Sequence, residues 1–271
     1  MENVLSLALN NLLSPIILSF ALGLFAALAR SELTIPEAVA KGLSIYLLFA
    51  IGFKGGVAVT KNGLDSTLIM TLMAGLVLSA LLPLLAFALL RTLTKLDTVN
   101  AAAVAGHYGS ISIVTFVAGT SVLESSGITS EGYMVAVAAV MEAPAILSAL
   151  WLISRGSGGA RMDAGLWREI LLNGSIVLLV GSFFIGLATG QKGLDEIGPF
   201  IVAPFKGVLC LFLLDMGLVA GRGLRQAKGT ITFGLLAFGI VMPLASSVVG
   251  LAMGAAIGLS LGGIVLLMVL C

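Results

Sequence analysis

The chain of 271 residues is apolar and carries little charge: 59% of its residues are hydrophobic and 10% are charged. So few charged side chains cannot coat a soluble globule, and a disordered chain would be rich in charge and poor in apolar residues. Its net charge of +1 excludes a basic nucleic-acid-binding surface. The two cysteines offer neither a disulfide framework nor a zinc site. The composition therefore predicts an all-α polytopic membrane protein of about eight or nine spans.

Apolar stretches of membrane-spanning length follow one another along the chain. In order they are Leu12–Ala29, Ile35–Thr60, Thr67–Leu90, Val99–Thr120, Tyr133–Ile153, Ile170–Ala188, Ile201–Gly221, Thr230–Gly254 and a last run from Leu259. Residues 1–11 contain no Lys or Arg, so the first stretch is predicted to be a mature span and not a cleaved signal peptide. The fourth stretch is rich in Gly and Ser, which predicts a broken helix.

The basic residues indicate how the spans are oriented. With eight alternating spans and the N-terminus outside, ten of the fourteen basic residues lie in inner loops. These ten are Arg30, Lys41, Arg91, Lys95, Arg155, Arg161, Arg168, Arg222, Arg225 and Lys228. The sequence therefore predicts a protein of the plasma (inner) membrane, with its N-terminus outside and the 155–168 connector in the cytoplasm.

The two halves of the chain resemble each other. The matching residues are Lys41, Gly42, Gly52 and Pro83 in the first half and Lys206, Gly207, Gly217 and Pro243 in the second. Five spans precede the connector, so the second copy must be inserted upside down, as in many secondary transporters. This predicts a first repeat over residues 1–154, a connector over 155–168 and a second repeat over 169–271.

Chemistry-bearing residues concentrate in the fourth span. The candidate binding residues there are Gly106, His107, Tyr108, Gly109, Ser110, Ser112 and Thr115. Glycine lets a helix open, and the exposed N–H groups at the start of a half-helix attract an anion. Hydroxyl and carbonyl oxygens suit sodium, so Ser110, Ser112 and Thr115 are candidate sodium ligands. The alternative is close helix packing, which also favours small residues.

Three ionisable residues inside other spans, and the single histidine, complete the candidate site. Glu142 is predicted to face the interior of the bundle, where it either couples an ion or hydrogen-bonds the opened helix. Asp215 and Lys54 are candidate supporting residues, and a pair of Asp215 with either Lys54 or Lys206 would be structural. His107 is either functional or bonded to a neighbouring carbonyl. No GxSxG or HExxH motif is present, so we expect no enzyme and no catalytic residue.

These motifs together resemble the sodium-dependent bicarbonate transporter superfamily. The matching segments are Leu33–Ala38, Ile51–Gly56, Gly106–Ser112 with Thr115, Met141–Ala145, Asp215–Gly217 and Leu261–Gly263. The resemblance implies inverted five-helix repeats, with a gate domain and a core domain that holds bicarbonate and sodium between broken helices. It implies no cofactor beyond the coupling ion. Members commonly form homo-trimers in the lipid bilayer, and a PII-like regulatory protein can bind their cytoplasmic face.

The sequence departs from the family pattern in three places. The cytoplasmic connector is short, whereas some members have a long one, which bears on binding of the regulatory protein. Ile113 and Val114 stand where the best-known members have smaller or polar residues, which bears on the substrate. The family has ten helices, and about eight and a half are present here, because the second broken helix would follow Leu270.

The function predicted from the sequence is a sodium-coupled symporter of a small anion, most simply bicarbonate, that works by movement of core against gate. The alternatives are a transporter of another small carboxylate on the same scaffold and a truncated membrane remnant that does not transport.

Overall fold

The computed structural model describes residues 12–62, 66–156, 168, 172, 174–227 and 231–271, and these contain helices and no strand. The helices are α1 (Pro15–Leu28), α2 (Glu37–Asn62), α3 (Ser66–Leu93), α4 (Thr98–Gly106), α5 (Ile113–Ser125), α6 (Met134–Gly156), α7 (Gly174–Ile201), α8 (Phe205–Gln226), α9 (Phe233–Ile257) and α10 (Leu261–Leu270). Six of them, α2, α3, α6, α7, α8 and α9, are long and apolar enough to cross a membrane. The prediction of an all-α polytopic membrane protein is confirmed.

The fourth predicted span is broken, as its composition indicated, into α4 and α5. The end of α7 differs from the prediction, because residues 191–201 form a helix where the charged sequence suggested a loop. A left-handed Gly190 (φ 59°) turns the chain, and the Gln191 side chain then donates a 2.6 Å hydrogen bond to Asp195 one turn later. Most of the predicted connector, 155–168, lies outside the described residues.

The chain divides into two compact units. Unit 1 comprises Met1–Ala50 and Gln191–Ile231, and unit 2 comprises Ile51–Gly190 and Thr232–Cys271. In unit 1, α1 packs along α8 around a small core of Ala26, Ala27 and Leu218. In unit 2, α3 packs against α4, α6 and α9, while α10 packs against α9 and α5.

Each unit contains a close helix–helix contact that is made by a pair of glycines. In unit 1, Gly217 and Gly221 of α8 lie so close to α1 that a Cβ on either would overlap it. In unit 2, Gly52 and Gly56 of α2 meet α7 in the same way. The contacted residues are Phe20, Leu24 and Ala27 on α1 and Leu179, Ser182, Phe183 and Leu187 on α7. Because the two glycine pairs are 165 residues apart, these contacts support the internal repeat predicted from the sequence.

Candidate functional site

The break between α4 and α5 is fixed by close packing around one glycine. The backbone N–H groups of His107 and Tyr108 still donate to carbonyls of the last turn of α4, at 3.1 and 3.0 Å. At Gly109 the helical bonding stops. A Cβ at this position would overlap the Pro83 ring and the Ser79 carbonyl of α3, so only glycine allows this approach.

The chain enters α5 with a row of free N–H groups. Ser112 is extended (φ −96°, ψ 105°) and caps the helix, its Oγ accepting a 3.3 Å hydrogen bond from the Thr115 N–H. The N–H groups from Gly109 to Val114 have no hydrogen-bond partner among the described residues. Unpaired N–H groups at a helix N-terminus carry partial positive charge and point at whatever lies before the helix. This arrangement is suited to holding an anion.

The α6 helix is held against α3 at the turn that contains Pro144. Pro144 has no backbone N–H, so it cannot donate the usual hydrogen bond to the carbonyl of the residue four positions earlier. In this turn the fully buried Ser79 hydroxyl of α3 accepts a 3.1 Å bond from the Ala145 N–H and donates to the Met141 carbonyl. A neighbouring hydroxyl, that of Ser148, donates to the Ala80 carbonyl of α3 at 2.8 Å. These hydrogen bonds join α6 to α3 beside Pro144.

Glu142 lies on α6, two residues before Pro144. It is half-buried, and its side chain lies beside the Ser110 hydroxyl in the turn between α4 and α5. A carboxylate, a hydroxyl and the free N–H groups thus come together in unit 2. The side chains of Ser112 and Thr115 are exposed on the opening turn of α5. These oxygen atoms are the ligand type that a hard cation such as sodium requires.

The other predicted residues of the fourth span have different surroundings. Gly106 approaches the Ala149 side chain of α6, which is a packing contact. Tyr108 packs edge-on against Phe238 of α9, with the ring centroids 4.9 Å apart, and so holds the turn. His107 is exposed, and its backbone forms the C-cap of α4.

The two candidate supporting residues belong to different units. Asp215 of α8, in unit 1, is 5% exposed, and no ion pair joins it to Lys206 in that unit. Lys54 of α2, in unit 2, is half-buried and engaged in an interaction of its own. Their roles in binding stay predictions.

Two structurally important residues were missed in the sequence. Ser79 gives no signal in the sequence because a single serine in an apolar span is common, although it lies one turn before Pro83. Glu131 caps α10 from outside, since its carboxylate accepts from the Ser260 N–H at 2.7 Å and from the Ser260 hydroxyl at 3.0 Å. Nothing in the local sequence pairs residues so far apart.

Comparison with known proteins places the chain in a family. Residues 15–271 match the family model of the Na+-dependent bicarbonate transporter superfamily, which covers most of the chain and includes the broken helix and Glu142. No curated protein sequence matches it. Because the match extends over nearly the whole sequence, the chain belongs to the Na+-dependent bicarbonate transporter superfamily.

Proposed function

We propose that this protein is a sodium-coupled symporter of a small anion and that the anion is bicarbonate. The observation that carries the proposal is the row of N–H groups from Gly109 to Val114, at the entrance to α5, which have no hydrogen-bond partner among the described residues. Unpaired backbone donors at membrane depth are costly unless protein or water satisfies them. Bicarbonate is a planar oxyanion with three oxygen acceptors, so it can satisfy several of these donors at once.

Sodium is the second substrate in this proposal. In it, the Glu142 carboxylate and the hydroxyls of Ser110, Ser112 and Thr115 supply the oxygen ligands. An anion bound beside an ionised carboxylate is repelled, and a sodium ion between them removes the repulsion. Each substrate therefore raises the affinity for the other, and such mutual dependence is the thermodynamic basis of coupling.

The remaining parts of the proposal follow the family and the charge pattern. We place the protein in the plasma (inner) membrane, with its N-terminus outside and the 155–168 connector in the cytoplasm, because the predicted inner loops hold most of the basic residues. Transport proceeds by movement of a core domain against a gate domain. A homo-trimer and a PII-like partner are further expectations, as are the absence of a cofactor and of catalytic residues.

A different small carboxylate is the second candidate substrate. Backbone N–H groups recognise the oxygens of any small oxyanion, and the last two residues of this row, Ile113 and Val114 at the start of α5, are hydrophobic. A monocarboxylate such as formate carries the same charge as bicarbonate and has two oxygen acceptors where bicarbonate has three. The scaffold alone does not separate the two anions, so competition has to do so.

The test is uptake of labelled bicarbonate into proteoliposomes that contain the purified full chain. With an inward sodium gradient we expect uptake well above that of empty liposomes, and replacement of sodium by choline should abolish it. Equal uptake in the two buffers would overturn sodium coupling. Complete inhibition by a small excess of formate, with weak inhibition by unlabelled bicarbonate, would assign the site to a carboxylate.

A further inference from the structure

A cleft of about 440 Å³ lies in unit 1, where α1 and α8 both end, and the proposed transport site does not use it. Its lining residues are Arg30, Arg222, Arg225 and Gln226. Cations at a helix C-terminus are favourable, because they offset the partial negative charge of the last carbonyls. That effect explains the position of Arg225 but not those of Arg30 and Arg222.

Arg225 is the arginine whose role is explained by the helix ends. It lies in the last turn of α8, and its guanidinium donates a 3.0 Å hydrogen bond to the Ala27 carbonyl in the last turn of α1. This bond satisfies a helix-end acceptor and fastens the two helices together. The same bond holds the guanidinium at the edge of the cleft.

Arg30 is held over the cleft by an unusual backbone conformation. The chain leaves α1 through a Schellman turn, in which the Arg30 N–H donates to Ala27 at 3.2 Å and the Ser31 N–H donates to Ala26 at 2.9 Å. The residue at this position is left-handed, and Arg30 has a φ of 61°, the one positive φ outside glycine in the described part of the chain. Glycine is the usual residue at such a turn, so an arginine there strains the backbone and costs free energy.

Arg222 is the arginine that lacks a partner. Its Nη2 atom is buried and has no hydrogen bond, the one such side-chain atom among the described residues. The described ion pair of the protein, Lys41 with Glu37, is elsewhere, and no described carboxylate pairs with any of the three arginines. A buried guanidinium donor without an acceptor, beside two further cations, is unfavourable unless an anion completes the cluster.

We propose that this arginine cleft binds a phosphate group. Guanidinium groups match the oxygens of phosphate with paired hydrogen bonds, and a tetrahedral group with one or two negative charges can accept from three arginines at once. Phosphate of this kind has two sources at a membrane surface: the headgroup of an anionic phospholipid, or phosphate free in solution. The cleft opens at helix ends, and in the proposed orientation these face the cytoplasm, where anionic headgroups attract basic residues.

The test measures the thermal unfolding midpoint of the purified full chain in detergent, with three additions. Phosphatidylglycerol probes an anionic headgroup, phosphatidylcholine is the zwitterionic control, and inorganic phosphate probes the free anion. We expect phosphatidylglycerol or inorganic phosphate to raise the midpoint and phosphatidylcholine to leave it nearly unchanged. A rise with phosphatidylglycerol alone assigns the cleft to lipid, and a rise with inorganic phosphate at millimolar concentration assigns it to the soluble anion.

Variants show whether the effect belongs to the cleft. Arg222→Gln should lower about fivefold the affinity for whichever ligand raises the midpoint, because one arginine near an anionic surface contributes about that factor to binding. Arg30→Gly should weaken it similarly while the unliganded protein becomes no less stable, because glycine relieves the left-handed backbone. Arg91→Gln is the matched control: Arg91 is exposed, bonds the Leu96 carbonyl at 2.7 Å and lies outside the cleft.

Two results would overturn the proposal. The first is an unchanged midpoint with both phosphatidylglycerol and inorganic phosphate. The second is an equal response of Arg91→Gln and Arg30→Gly, which would mean that overall positive charge and not the cleft binds the anion. If Arg222→Gln does not fold, Arg30→Gly decides alone, because its substitution suits the backbone.

Discussion

Replacement of Ser79 by alanine tests how α3 holds α6 beside Pro144. The fully buried Ser79 hydroxyl accepts from the Ala145 N–H and donates to the Met141 carbonyl, so Ser79→Ala removes two buried hydrogen bonds between the helices. Each such bond contributes about 0.5–1.5 kcal/mol. We therefore expect a loss of about 1–3 kcal/mol in the free energy of unfolding.

The assay is unfolding of the purified protein by a denaturing detergent, followed by circular dichroism. Ser148→Ala is the matched control, because Ser148 makes a single hydrogen bond to the Ala80 carbonyl between the same two helices. Interhelical hydrogen bonds in membrane proteins average about 0.6 kcal/mol, and this is the loss we expect for the control. Equal losses in the two variants would refute the view that Ser79 holds α6 with two hydrogen bonds where Ser148 holds it with one.

Three further predictions concern other contacts of unit 2. Glu131→Gln should lower the free energy of unfolding by about 1 kcal/mol, because the Ser260 cap of α10 loses its charged acceptor; an unchanged value would contradict that role. Gly109→Ala should destabilise by about 1–3 kcal/mol in the same assay, since its methyl group overlaps α3, and wild-type stability would show that the break is loosely packed. Hydrogen bonds from the backbone and side chain of Asn100 hold the pKa of the Asp97 carboxyl below its usual value. Stability from this cap is thus present above about pH 4 and is lost as the pH falls through the lowered pKa; Asp97→Asn should remove that part of the acid dependence, and identical acid titrations of wild type and variant would contradict it.

Composition and motif pattern were sufficient to predict the spans and the broken helix. Hydrophobic runs of about 20 residues define spans directly, because a bilayer core leaves no other way to satisfy the backbone. The glycines and serines around His107 predicted the break, since they weaken helical packing and offer hydroxyl caps. The spacing of Gly52 and Gly217 predicted a repeat, and the structure uses both as close-contact positions.

Long-range partners could not be predicted in this way. The sequence left open whether Glu142 couples an ion or bonds the opened helix, and only the fold shows that Ser110 is its neighbour. The role of Ser79 depends on α3 lying against α6 beside Pro144. The left-handed Arg30 is hidden for a different reason, because sequence rules place glycine at such a turn. All three depend on tertiary contacts or strain that no local pattern records.

The most direct test of the account compares sodium-driven bicarbonate uptake by the wild type and the Ser112→Ala variant in proteoliposomes. Ser112 caps α5 at the proposed binding site, whereas Ser247 of α9 is half-buried and its hydroxyl donates to the Leu244 carbonyl of its own helix, so Ser247→Ala is the matched control. We predict a large fall in uptake for Ser112→Ala, with a higher sodium concentration needed for half-maximal rate, and wild-type uptake for Ser247→Ala. Equal rates and equal sodium dependence in all three proteins would contradict the central claim that the opening of α5 binds the transported ions.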